Sequence, residues 1–144
     1  MTENRHYRPT FEITLAGAKA AIVGALGEAE RQGVAITAAV VDAGGHLFAL
    51  SRMDMVHAGT VAVAQAKANT AVMFKRPSTQ FADALKAGNS AMLGIPNVIA
   101  LPGGIPLKAG DSVVGAIGIS GASPDVDEAI AKAGAAAFET AGGQ

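Results

Sequence analysis

Over residues 113–121 the chain reads Val-Val-Gly-Ala-Ile-Gly-Ile-Ser-Gly. Alternation of this kind is a strand signal, because successive side chains point to opposite faces of a sheet. One face carries Ala116, Gly118 and Ser120, all small, and the other carries Ile117 and Ile119. A strand that is nearly bare on one face lets a helix, a ligand or another subunit approach the sheet backbone closely. Just ahead of it, Gly103-Gly104-Ile105-Pro106 marks a tight turn. Just after it, Ser123-Pro124 has the form of an N-cap followed by proline at the first helical position. Asp125, Asp127 and Glu128 then fill a first turn, where the helix dipole favours negative charge.

The rest of the chain alternates helical and strand signals. Residues 1–13 form an N-terminal arm, and residues 14–144 form a single domain, as the length of 144 residues suggests. Thr14 is placed to cap a helix over 15–32, whose Leu15, Ala18, Ile22, Ala25 and Ala29 share one face, with Gly33 to end it. Residues 34–41 and 46–52 flank Asp42-Ala43-Gly44-Gly45 as a β-hairpin. A second helix runs over 58–75, with Val61, Ala64, Ala68 and Val72 on one face and Lys67, Thr70 and Lys75 off it. Pro77 ends it, and Ser78 caps a short helix to about residue 85. Five glycines and three prolines over 87–111 predict a long, mostly irregular connection, of the kind that is usually functional. A further strand near 97–101 is compatible with its apolar content. The order α-β-β-α-α-β-β-α, with two hairpin-like strand pairs, reads as an antiparallel α+β fold.

Composition closes off several classes of function. There is no cysteine, so disulfide and thiolate chemistry are absent. A net charge of -1 gives no field that favours nucleic acid or a membrane surface. No apolar run reaches the ~18 residues of a spanning helix, and the polar first residues lack a signal-peptide core, so a cytoplasmic protein is expected. The charged share of 16% lies below the ~25% of typical globular chains, which leaves too few charges to coat a monomer and points to a homo-oligomer.

Six ordered motifs carry a resemblance. They are Val41-Asp42-Ala43-Gly44-Gly45-His46-Leu47, Arg52-Met53-Asp54, Lys67-Ala68-Asn69-Thr70-Ala71, Phe74-Lys75-Arg76-Pro77-Ser78, Gly103-Gly104-Ile105-Pro106 and Gly115-Ala116-Ile117-Gly118-Ile119-Ser120-Gly121. Over about residues 14–138 the chain resembles the GlcG/HbpS family of haem-binding-like proteins, itself similar to the C-terminal domain of PduO-type proteins. The resemblance implies a profilin-like α/β/α sandwich, with a five-stranded antiparallel sheet flanked by helices on both faces, and homo-oligomers. It also implies a small-ligand-binding or accessory protein of a catabolic pathway, with haem or a corrinoid-like tetrapyrrole as the candidate ligand.

The residues leave more than one chemistry open. His57, between the hairpin and a helix, is either a haem ligand or a solvated loop histidine. His46, directly after the glycine turn, fits a structural hydrogen bond better than ligation, and His6 falls in the arm. The histidine spacings match no metal-binding pattern, so no metal site is expected. Asp42 suits an Asx turn, yet with Asp54 it also offers a pair of carboxylates for acid–base work. Arg52, Lys67 and Arg76 are candidate anion ligands, with surface ion pairs or a snorkelling lysine as the plain alternative. Gly104 and Ser120 border the same candidate pocket, although no histidine is linked in sequence to Ser120 as a base. The pocket itself is expected between the 87–111 connection, the 52–58 segment and the 60–76 helix. Convergence of the basic residues on Asp42 or Asp54 would favour a cofactor-independent isomerase, hydratase or lyase acting on a small organic acid. A fully buried connection with no cleft would favour a structural oligomer.

Overall fold

A computed structural model describes residues 5–142. Helix α1 spans Leu15–Gln32, and strands β1 (Thr37–Asp42) and β2 (Leu47–Arg52) follow. Next come α2 (Thr60–Phe74), α3 (Thr79–Lys86), a 3₁₀ turn at Ser90–Gly94, β3 (Gly104–Ala109), β4 (Ser112–Ser120) and α4 (Pro124–Gly142). The element order is the expected one. Among the described residues, however, the sheet has four strands in the order β2-β1-β4-β3, all neighbours antiparallel, and the expected fifth strand at 97–101 does not form. Its backbone is claimed by side chains instead. Ile99 N–H donates to Thr70 Oγ1 at 2.9 Å, the Leu101 carbonyl accepts from Ser78 Oγ at 2.6 Å, and Asn97 has a φ of 61°.

Two helical layers enclose the sheet. α1 and α4 pack on one face and on each other, while α2 covers the other face, with α3 beyond it. The chemistry of β4 decides which layer lies closer. Ile117 and Ile119 enter the larger core with Ala21, Ala25 and Ile130 from α1 and α4. Ala116 joins Ala68, Ala71 and Val72 of α2 on the opposite face. Gly104 and Gly118 are cross-strand partners in the β3–β4 ladder. A Cβ on Gly118 would collide with the Ala64 carbonyl, and one on Gly104 with the Lys67 carbonyl. The glycine pair therefore forms a trough in which the α2 backbone lies directly on the sheet. The bare strand face noted in the sequence is filled by a helix.

α1 begins where Thr14 Oγ1 accepts from Gly17 N–H at 3.0 Å, and ends at Gly33 in the left-handed region. Ile13, placed in the arm on sequence, is buried in the larger core. Among the described residues, no helix is long and apolar enough to cross a membrane.

Candidate functional site

Among the described residues, three places gather the side chains singled out by the sequence. The first is the β1–β2 turn. Asp42 Oδ1 accepts from Gly44 N–H and His46 N–H, each at 2.9 Å, which is the Asx-type closure expected of this turn. The His46 backbone N–H is the largest influence holding the Asp42 carboxyl below the ordinary aspartate range, with Gly44 N–H adding to it against partial desolvation. His46 Nδ1 lies 3.2 Å from the same carboxylate oxygen. That contact favours a proton on Nδ1 and presents Nε2 as a free lone pair on a largely exposed ring. The pair borders a concavity of about 310 Å³, with Phe48, Ile13, Val114 and Glu12 in its wall. Glu12, Ile13 and Val114 also line a second hollow of about 400 Å³, which continues over Phe11, Gly17 and Phe138. The two adjoin as one mainly apolar trench with an imidazole at its end.

Because its folded-state pKa is depressed, ionised Asp42 contributes stability that is present above the unfolded carboxylate pKa and is lost as pH falls through the folded value. Asp42→Asn is therefore expected to flatten the acid limb of a stability–pH curve, measured by urea melts at stepped pH. An unchanged acid limb would refute the assignment.

The second place is a groove of about 360 Å³ between the end of α2, α3 and the 3₁₀ turn, lined by Phe74, Arg76, Gln80, Phe81, Met92 and Ile95 among others. Two of the three segments expected around the pocket meet here, the 87–111 connection and the end of the 60–76 helix. The 52–58 segment does not take part.

The third place is closed. Lys67, placed off the buried face of α2 on sequence, is buried, and so is Thr70. Its Nζ donates to Asp127 Oδ2 at 2.9 Å and to the Ile119 carbonyl at 2.9 Å. Asp127 Oδ1 accepts from Ala122 N–H at 2.9 Å. Burial pushes the Asp127 carboxyl above its usual value, opposed by Lys67 and the Ala122 and Gly121 N–H groups. The amine thus runs past the end of the β3–β4 ladder and ties α2 on one face to α4 on the other. An amine held in this way is committed to structure and does not face a cleft.

The remaining candidates are dispersed. Arg52 donates to the Val56 carbonyl at 3.1 Å. The His57 ring is exposed, while its carbonyl accepts from the N–H and Oγ1 of Thr60, at 3.0 and 2.7 Å, at the start of α2. Gly104 is occupied by the α2 backbone, and Ser120 is buried opposite Thr37 in the ladder. Among the described residues, no ion pair joins Arg52, Lys67 or Arg76 to Asp42 or Asp54, and no group of three or more His, Cys, Asp or Glu side chains is arranged to hold a metal. Sequence reasoning missed Asp127 as the partner of Lys67, and missed Phe81 as a groove wall. It also rated His46 below His57, although the Asp-x-x-x-His spacing across a tight turn was a readable sign that the two side chains could meet.

A four-stranded antiparallel sheet between two helical layers, with a histidine–aspartate turn and a bolted core, defines a small α+β sandwich domain. The chain belongs to the HbpS-like family: the family model described as "Haem degrading protein HbpS-like" matches residues 13–136. Protein GlcG of Escherichia coli strain K12 is 35% identical over 103 residues, covering 72% of this chain and 77% of GlcG. A double mutant of Streptomyces reticuli HbpS superposes with a TM-score of 0.84 at 34% identity, covering 94% of this chain and 93% of that one. The crystal structure of a PduOC:haem complex superposes with a TM-score of 0.80 at 25% identity, covering 88% and 95% of the two chains.

Proposed function

We propose that the protein binds a haem-class tetrapyrrole at the trench ending in His46 and serves as a ligand-binding accessory protein. The carrying observation is the Asp42–His46 pair beside an apolar hollow. Haem asks for a neutral imidazole with a lone pair to give, held by a second-shell acceptor, next to apolar surface for the macrocycle. His46 Nε2, Asp42, Phe48, Ile13 and Val114 meet those demands. Glu12 and Asp42 at the rim would turn the propionates outward to water. The iron, when bound, supplies redox and small-gas chemistry, and the chain supplies orientation and a partly dry wall. Family membership and the haem-bound PduOC neighbour support the same ligand class. Self-association is part of this reading. Leu47, Phe48 and Met73 are exposed, and the only charged residue in α2, Lys67, is buried, so the outer face of that helix carries no charge.

The test is a haemin titration followed through the Soret band, with native mass spectrometry of the same samples. A shifted band saturating at one haemin per chain is expected, abolished in His46→Ala and retained in His57→Ala. An unshifted band, or a shift indifferent to His46, would overturn the reading. The same pair supports a second reading, a cofactor-independent enzyme acting on a small organic acid with His46 Nε2 as the base. Turnover by haemin-free protein that disappears in His46→Ala would move the assignment there.

A further inference from the structure

We infer that the groove around Arg76 is a separate site for a hydrophobic carboxylate, an anion with an aromatic or medium-chain body, independent of the His46 trench. The argument begins with backbone geometry. α2 is capped by Lys75, which holds a left-handed conformation, φ 53° and ψ 41°, that a non-glycine residue adopts only under strain. Pro77 follows two residues later and restricts Arg76 to extended backbone. Between these two constraints Arg76 is carried over α3, with its guanidinium carbon 5.7 Å from the centroid of the Phe81 ring. The Phe81 ring is buried and meets Phe74 edge-on, with centroids 5.3 Å apart, so the platform under the cation is stiff.

The guanidinium is anchored but not consumed. Its Nε donates to the Phe74 carbonyl at 3.3 Å, and among the described residues it makes no ion pair. Its terminal nitrogens are left to face an outside acceptor, for which a planar bidentate carboxylate is the natural match. The adjoining wall is apolar: Phe74, Phe81, Ala84, Met92 and Ile95, with Gln80 as the one other polar side chain. Nearby charge favours an anion, since Lys75, Arg76 and Lys86 stand against Asp83 alone over residues 74–86. The volume of about 360 Å³ sits at the small end of the ~300–1,000 Å³ range of ligand pockets. That suits a ligand of one or two fused rings better than a whole macrocycle.

The experiment uses 2-naphthoate, whose fluorescence is readable because the chain has no tryptophan and one tyrosine. Saturable binding is expected, with 2-naphthalenemethanol, the neutral analogue, at least tenfold weaker. Arg76→Gln should weaken naphthoate at least tenfold and leave the alcohol unchanged. Gln80→Glu, an exposed substitution that leaves the fold intact, should weaken naphthoate by a similar factor through like-charge repulsion. His46→Ala should have no effect, which separates this site from the trench. No saturable binding, equal binding of acid and alcohol, or indifference to both Arg76→Gln and Gln80→Glu would overturn the inference. Loss in His46→Ala would overturn its independence from the trench.

Discussion

Lys67→Ala is expected to destabilise the protein by about 3–5 kcal/mol, the cost of leaving a buried carboxylate without its counter-charge. Lys67 and Asp127 side chains are each about 3% exposed, so water cannot replace the lost ammonium. The Ile119 carbonyl also loses its side-chain donor. The measurement is urea unfolding of the single variants and of a Lys67→Met, Asp127→Leu double variant. Removing both charges should recover most of the loss, because the desolvation cost of the pair goes with them. What the double variant does not recover are the bonds from Lys67 Nζ to the Ile119 carbonyl and from Ala122 N–H to Asp127, each on the order of 1 kcal/mol. A Lys67→Ala protein within about 1 kcal/mol of the parent would show that the bolt between the layers carries little of the stability.

Gly118→Ala should be nearly as damaging, at about 3 kcal/mol, the upper end for overpacking. The added methyl group meets the Ala64 carbonyl and the Ala68 nitrogen. Both are helix backbone, which cannot rotate away as a side chain would, so α2 must lift from the sheet. Gly104→Ala, across the ladder, should do the same through the Lys67 carbonyl. Gly59→Ala is the control: its Cβ would meet open space at an ordinary helical φ, and a change within about 0.5 kcal/mol is expected. Thermal melts distinguish these cases, since about 3 kcal/mol corresponds to a drop on the order of 10 °C for a chain of this size. Gly118→Ala with the melting temperature of Gly59→Ala would mean that α2 has room to spare.

These two sites also show where the sequence was readable. The closeness of something to β4 followed directly from Ala116, Gly118 and Ser120 on one face, because a missing side chain is visible without knowing what fills the gap. The identity of the filler was not, since a helix, a subunit and a ligand all suit bare backbone. Lys67 was misplaced for a different reason. Ala64, Lys67, Ala68 and Ala71 follow the i, i+3, i+4, i+7 pattern of a buried stripe, so its burial was available from spacing. Charge argued against it, and the partner that reverses the argument lies 60 residues away in sequence. The 97–101 segment failed in the opposite sense. Its apolar content suits a strand, but the hydroxyls of Thr70 and Ser78 satisfy its backbone, and such side-chain claims follow no local period. The Arg76 groove needed tertiary structure throughout, since Phe81 and Met92 reach it from separate turns.

The layer made by α1 and α4 has a consequence for how the chain is made. Gly17 abuts Phe138, Gly24 abuts Ala137, and Gly134 lies against Ala21, so the first helix of this domain is completed only by its last. While α4 is still in the ribosomal tunnel, Ala21, Ile22 and Ala25 lack the cover that α4 gives them, and Asp127 has not reached Lys67. Contacts of such long sequence separation form slowly, because loop closure must precede any gain. Completion of this layer thereby waits for α4 to emerge, and until then α1 leans on the sheet with its other flank uncovered.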